Sequence, residues 1–158
     1  PVGLPSQAER MSRAPLPTYT FALVVLKAGR KVALVRDAKD GKAWSLPGGR
    51  VEAGEEVLAA ARRYAANETG VTVELEGLLR VQHTLVDGGA ARLRVCVVAR
   101  PADDRELKTL ADEHSLSAQW FSREQLTTLT LKSADVKHFV ELALDGPVFP
   151  LSLLSWEH

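Results

Sequence analysis

The chain has 158 residues, of which 46% are hydrophobic and 25% charged, with 20 Lys plus Arg balanced against 20 Asp plus Glu for a formal net charge of +0. This length suits one domain with a proper core, and the balanced charge gives no field that would draw in nucleic acid or an anionic membrane as a partner. No apolar run reaches the roughly 20 residues that span a bilayer, and the lone Cys96 excludes an internal disulfide or a Cys-based metal site, in keeping with a reducing, cytoplasmic setting.

Residues 1–17 hold Pro1, Pro5, Pro15 and Pro17 among polar residues and read as a mobile or extended arm, with no apolar core segment of a signal peptide. Residues 18–158 then read as a single domain. Thr18 to Leu26 and Lys31 to Arg36, rich in β-branched residues and joined by Ala28-Gly29-Arg30, predict a strand pair. Trp44-Ser45-Leu46 is a short strand, with Trp44 expected to pack. Residues 46–54 read as a loop: Pro47 fixes its own φ, while Gly48, Gly49 and Gly54 allow close approach to a ligand.

From Glu55 the spacing turns helical as far as Glu68, and Gly70 stands where a left-handed cap is wanted. Steps of about 100° put Leu58, Ala61 and Ala65 on a buried flank and Glu56, Ala60, Arg63, Tyr64 and Asn67 on the other, with Glu68 at the border. Glu55 and Arg63 lie two turns apart and are placed to brace the loop against the helix.

Val71 to Val81 alternates except for a break at Gly77, which predicts a bulge. His83 to Val86 and the strand Arg92 to Arg100 flank the turn signal Asp87-Gly88-Gly89. Cys96 reads as a small buried strand residue rather than a nucleophile. Pro101 to Ser117 is polar and reads as a solvated loop. Ser117 to Phe121 is a short strand, Ser122 to Gln125 a capping box, and Ala134 to Leu144 a helix with one apolar stripe. The apolar tail, Val148 to His158, must cover the domain or a partner, and a homodimer through the tail or the arm is compatible with it.

Gly49, Glu55, Arg63, Glu68, Gly70 and Val71 align with the box of the Nudix hydrolases, and the preceding Pro47-Gly48, the Val51-Glu52-Ala53-Gly54 insert and Trp120-Phe121 are also similar to that family. The resemblance implies an α/β fold, a Nudix-type α/β/α sandwich with a mixed central sheet. It implies water attack on a phosphorus of a nucleoside di- or triphosphate, or of a nucleoside diphosphate linked to another group, with Mg²⁺ or Mn²⁺ as cofactor. It assigns catalytic parts to Glu55, Arg63, Glu68 and, from outside the box, Glu113. Metal contacts fall to Gly49, Asn67 and Glu68, and substrate contacts to Arg36, Gly48 and Gly49. The stretch Phe149-Pro150-Leu151 is loosely similar to the phosphatase-type branch. Base selectivity would draw on scattered side chains such as Phe21, His83 and Arg92, each of which also has a structural reading.

Two positions depart from the box. Tyr64 stands where the pattern has Glu after the Arg, and Asn67 replaces the first Glu of the Glu-Glu pair. At an effective dielectric of about 20, a full charge at about 4 Å is worth roughly 4 kcal/mol before desolvation, so losing two weakens metal binding strongly. The sequence therefore leaves three readings: a hydrolase of nucleotides with altered or substrate-assisted metal binding, an inactive module that binds a nucleotide or protein, and an enzyme whose glutamates at positions 64 and 67 were replaced deliberately to trap substrate.

Overall fold

A computed structural model of the chain describes residues 3–8, 15–37, 39, 41–115 and 117–154, so residues 1–2 and 9–14 of the proposed arm and Trp156 lie outside the described residues. Strand β1 (Thr18–Ala28) runs past its expected end at Leu26 and turns at Gly29, φ 60°, into β2 (Lys31–Arg36). Strand β3 (Trp44–Ser45) pairs with β2. Residues 48–50, expected as loop, form a further strand, β4 (Gly48–Arg50), antiparallel to β1 with Ala22 opposite Gly49 and Leu23 opposite Gly48. The missing side chains explain the difference. A β-carbon on Gly48 would run into the Ala22 carbonyl oxygen and the Leu23 side chain, so only Gly lets the chain lie this close to β1.

Strand β5 (Val73–Val86) shifts register between Leu75 and Gly77 and again between Leu78 and Arg80, which matches the expected bulge. A turn through Gly88 and Gly89, at φ 82° and 76°, leads into β6 (Ala90–Pro101), and β7 (Ser117–Phe121) has the predicted limits. The seven strands form a sheet in the order β3-β2-β1-β6-β5, with β4 added to β1 and β7 to β2. Strands β1 and β6 are parallel and the other pairs antiparallel, so the sheet is mixed as expected.

Alternation along the strands sends side chains to two cores. Ala22, Val24, Leu26, Ala33 and Val35 face one side, where they meet Leu58, Ala61 and Ala65 of helix α1 (Val57–Thr69). Val25, Val32, Leu34, Cys96 and Val98 face the other, where they meet Val136, Phe139, Val140 and Ala143 of helix α2 (Asp135–Asp145). The result is helix, sheet, helix. Cys96 is buried and its thiol is pushed up to about 12 by that burial, which fits a packing residue. Trp44 also packs, edge-on to Phe121 with ring centroids 4.8 Å apart.

Helix α1 ends as its sequence requires: Gly70 is left-handed at φ 78° and its N–H donates to the Ala66 carbonyl at 2.9 Å. One expectation fails, because Ala60 is fully buried. Strand β4 lies on that flank, where Tyr64, one turn on from Ala60, packs over Gly49. The capping box forms reciprocally, Ser122 N–H to Gln125 Oε1 at 2.7 Å and Gln125 N–H to Ser122 Oγ at 3.4 Å, although the turn it opens, Glu124–Thr128, is a 3-10 rather than an α-helix.

The tail folds back onto the domain. Leu78 and Phe149 exchange backbone hydrogen bonds of 2.8 Å in both directions, at the bulge where Gly77 leaves room for Val148. Leu151 and Leu154 complete the α1-side core. Among the described residues no helix is long and apolar enough to cross a membrane.

Candidate active site

The Gly-rich stretch and α1 are locked together by one ion pair. Arg63 donates from Nε to Glu55 Oε2 at 2.7 Å and from Nη2 to Glu55 Oε1 at 2.8 Å, a bidentate fork, and Glu52 stands 3.8 Å away. That hydrogen bonding holds the Glu55 carboxyl down at about 2 and raises the Arg63 guanidinium above its ordinary value. Tyr64 adds a second brace: its hydroxyl donates to the Arg50 carbonyl at 2.7 Å, and its ring lies under the Arg63 guanidinium at 4.3 Å. A β-carbon on Gly49 would sit 2.6 Å from the Tyr64 ring, so the two residues are matched in shape.

Beyond the loop lies a small polar cavity of about 90 Å³, lined by Arg36, Asp37, Ser45, Gly48, Glu68, His114 and Lys132 among others. Glu68 receives the Gly48 N–H at 3.5 Å, and burial pushes its carboxyl up to about 7. Lys132 pairs with Asp37 at 2.6 Å and holds the Asp37 carboxyl below its usual range. Arg36 donates to the Gly41 carbonyl at 2.8 Å, lies 5.6 Å from the Trp44 ring centre, and keeps a buried Nε with no hydrogen-bond partner among the described residues.

His114 reaches this cavity because the polar segment before it is not free. Lys108 caps the end of α1 by donating to the Asn67 carbonyl at 3.1 Å, and the buried Ser115 hydroxyl donates to the Glu68 carbonyl at 2.8 Å. The solvated-loop reading of residues 101–117 is corrected to that extent. Glu113, its side chain 85% exposed and 3.4 Å from His114, does not line the cavity, and neither does Asn67.

A larger, mostly apolar cleft of about 240 Å³ adjoins the cavity and shares Ser45, Gly48 and Lys132 with it. Phe21 and Leu23 of β1, Leu46, and Val136 and Phe139 of α2 line it, and Arg94 and Asp135 are its opposed charges. Of the residues expected to meet substrate, Gly48, Gly49 and Phe21 line this cleft, whereas His83 and Arg92 do not.

A model of the NUDIX domain matches residues 16–142. The chain belongs to the Nudix family. It is similar to the human 8-oxo-dGDP phosphatase NUDT18, 37% identical over 129 residues that cover 79% of this chain and 38% of that protein. The zebrafish (Danio rerio) 8-oxo-dGDP phosphatase NUDT18 is 30% identical over 142 residues, covering 85% of this chain and 41% of its own length. The chain thus spans about two fifths of these relatives. A NUDIX hydrolase of Nitrosomonas europaea superposes with a TM-score of 0.72 at 26% identity, covering 89% of this chain and 97% of its own. These likenesses accord with the Nudix sandwich expected from the box.

Nudix enzymes generally use divalent metals, and such ions want several hard oxygen ligands. This chain's side chains do not fit that need unaided. Among the described residues no three of His, Cys, Asp and Glu are grouped to hold an ion. Asp37 is committed to Lys132, the Tyr64 hydroxyl to Arg50, and Glu68 alone of the box carboxylates faces the cavity. Asp37, His114, Lys132, Arg94 and Asp135 were not singled out from sequence as site residues. His114, Lys132, Arg94 and Asp135 lie far along the chain from the box, and Asp37, next to Arg36 at the end of β2, carried a local hint.

Proposed function

We propose that the chain is a nucleotide hydrolase that cleaves a phosphoanhydride bond of a nucleoside diphosphate, or of a related nucleoside triphosphate or diphosphate-linked compound. The observation that carries this reading is the adjacency of the two spaces: an apolar cleft of about 240 Å³ and a polar cavity holding Glu68 share Ser45, Gly48 and Lys132 in their walls. An aromatic base fits the first and an anionic phosphate the second. The names of the human and zebrafish relatives point to the same substrate class.

In this reading Lys132 and Arg36 attract and orient the phosphates, which releases Lys132 in part from Asp37. Backbone at Gly48 and Gly49 lets the phosphate chain approach closely. Water attacks phosphorus, the anhydride P–O bond breaks, and the attacking water's proton passes to Glu68. A carboxyl near 7 is matched to proton transfer at neutral pH. Glu55 and Arg63 touch no reacting atom here and act by fixing the loop. The exposed position of Glu113 leaves it without a part in this scheme. Mg²⁺ or Mn²⁺ would enter already bound to the nucleotide's phosphates, because the side chains alone do not supply its ligands.

Incubation with nucleoside di- and triphosphates and sugar nucleotides in Mg²⁺ or Mn²⁺, with released phosphate and nucleotide products measured, tests the proposal. Release from at least one nucleotide is expected, reduced sharply by Lys132→Ala. Tight nucleotide binding with no cleavage of any compound would favour the second reading, a binding module, which Tyr64 and Asn67 at two glutamate positions of the box support.

A further inference from the structure

Past the outer end of the apolar cleft, the sheet carries two cations that the scheme above does not use. Cα partners in neighbouring strands share a face, so the α2 side of the sheet is laid out in rows. One row runs Arg50, Phe21, Arg94 and Gln82 through β4, β1, β6 and β5, and the next row outward runs Tyr19, Arg92 and Thr84. Helix α2 starts over the first row, where Asp135 pairs with Arg94 at 2.7 Å. Among the described residues no helix covers the outer row, and Tyr19 is 44% exposed. The exposed Arg50 holds its guanidinium 4.8 Å from the Tyr19 ring centre and 6.0 Å from that of Phe21, and its backbone is anchored by the hydrogen bond from the Tyr64 hydroxyl. Arg92 is half-buried, with its Nε buried and unpartnered among the described residues. Arg94 is already engaged by Asp135 and Gln82, whereas neither Arg50 nor Arg92 meets a carboxylate among the described residues. Two held guanidiniums without counter-charge, beside an exposed ring, attract an anion.

We propose that Tyr19, Arg50 and Arg92 form a second anion subsite, which takes a phosphate on the 3′-oxygen of the bound nucleoside. The inference rests on the nucleotide reading above and extends it beyond a plain 5′-diphosphate. Position along β1 decides which phosphate this is. Leu23 lies opposite Gly48, on the wall shared with the polar cavity; Phe21 is the next side chain outward on the same face, and Tyr19 the one after. From Leu23 to Tyr19 the strand rises about 13 Å. The 5′-phosphates, and any group joined through them, lie at the Gly48 end. A group at the Tyr19 end must hang from the nucleoside itself, and the 3′-oxygen is where a nucleotide is extended. Paired guanidinium N–H groups match phosphate oxygens, and the Tyr19 face suits the stacking of a following base. The charge of the whole chain is balanced, so the attraction is confined to this rim.

Calorimetric titration of the wild-type protein with dGDP, with dGDP phosphorylated at its 3′-oxygen, and with a short single-stranded DNA carrying a 5′-diphosphate tests this without any variant. The 3′-phosphate is expected to tighten binding about 10- to 100-fold over dGDP, and the gain should shrink as salt is raised. In the double variant Arg50→Gln with Arg92→Gln the ratio of the two affinities should fall toward one, and Arg50→Lys with Arg92→Lys should keep part of the gain. A merely structural part for these residues would weaken both compounds together and leave the ratio alone. Further tightening by the strand, lost in Tyr19→Ala, would identify a strand end as the source of the phosphate; a strand no tighter than the 3′-phosphorylated nucleotide would identify the free nucleotide. Equal wild-type affinity for dGDP with and without the 3′-phosphate, or a gain that survives in the double Gln variant, would overturn the inference while leaving the nucleotide reading in place. No binding of dGDP would sink both. Tightening by the 3′-phosphate without phosphate release from any compound would sink the hydrolase reading alone.

Discussion

At the scale of single residues, two carboxyls of the box are displaced in opposite directions for different reasons. Glu55 is held at about 2, below its ordinary 4.5, chiefly by the Arg63 fork. A lowered carboxyl stabilises the fold above its ordinary value, and that stabilisation is lost as pH falls from 4.5 through about 2. Acid unfolding of Arg63→Met should therefore lose part of its steepness in that window, as followed by circular dichroism. Glu68 is raised to about 7, chiefly by burial, so the folded protein holds this proton more tightly than the unfolded chain does. Stability in metal-free buffer should fall as pH rises from about 4.5 through about 7, and Glu68→Gln should flatten the slope by on the order of 1 to 3 kcal/mol in urea unfolding. The neighbouring departures from the box lead to a metal experiment. Mn²⁺ binding to the nucleotide-free protein, read by electron paramagnetic resonance, should be weak, and Tyr64→Glu with Asn67→Glu should strengthen it by at least an order of magnitude. An unchanged affinity would show that these two positions do not face the ion.

At the scale of elements, what was legible depended on whether the signal was carried by side chains. Leu58, Ala61 and Ala65 announce α1 because an apolar stripe needs only periodic residues, and Gly70 announces its end. Strand β4 carried no such signal. Gly48 and Gly49 have neither β-propensity nor alternation, and what places them in the sheet is the close backbone of β1. The burial of Ala60 followed from the same omission. Likewise the cavity's Lys132 and His114 arrive through distant contacts, a pairing with Asp37 and a tether from Ser115 to α1, that no local pattern encodes. Gly48→Ala should accordingly shift β4 from β1, lowering thermal stability by about 1 to 3 kcal/mol as an overpacking change and weakening nucleotide binding as well. Gly49→Ala runs first into the Tyr64 ring, so the double variant with Tyr64→Ala should recover most of its loss, a coupling that thermal melts of all four proteins would measure.

At the scale of the whole molecule, the sheet divides the interior into two cores that were predictable as a fold class but not as a division of labour. The α1 side is completed by the tail, through Leu151 and Leu154, whereas the α2 side also lines the cleft through Val136 and Phe139. Leu58→Ala should cost about 2 to 5 kcal/mol in urea unfolding with nucleotide affinity kept, while a Phe139→Ala substitution of comparable cost, about 3 to 5 kcal/mol, should also reduce affinity. The parallel pairing of β1 with β6 sets the order in which these parts can assemble. Thr18 finds its partner in Ala91 and Leu26 in Ala99, so the central strand of the sheet cannot close until most of the chain is available. During synthesis on the ribosome β1 and β2 emerge before β6 and wait with an apolar edge unpaired. Such long-range closure favours slow folding and leaves the nascent chain exposed to misassociation until β6 arrives.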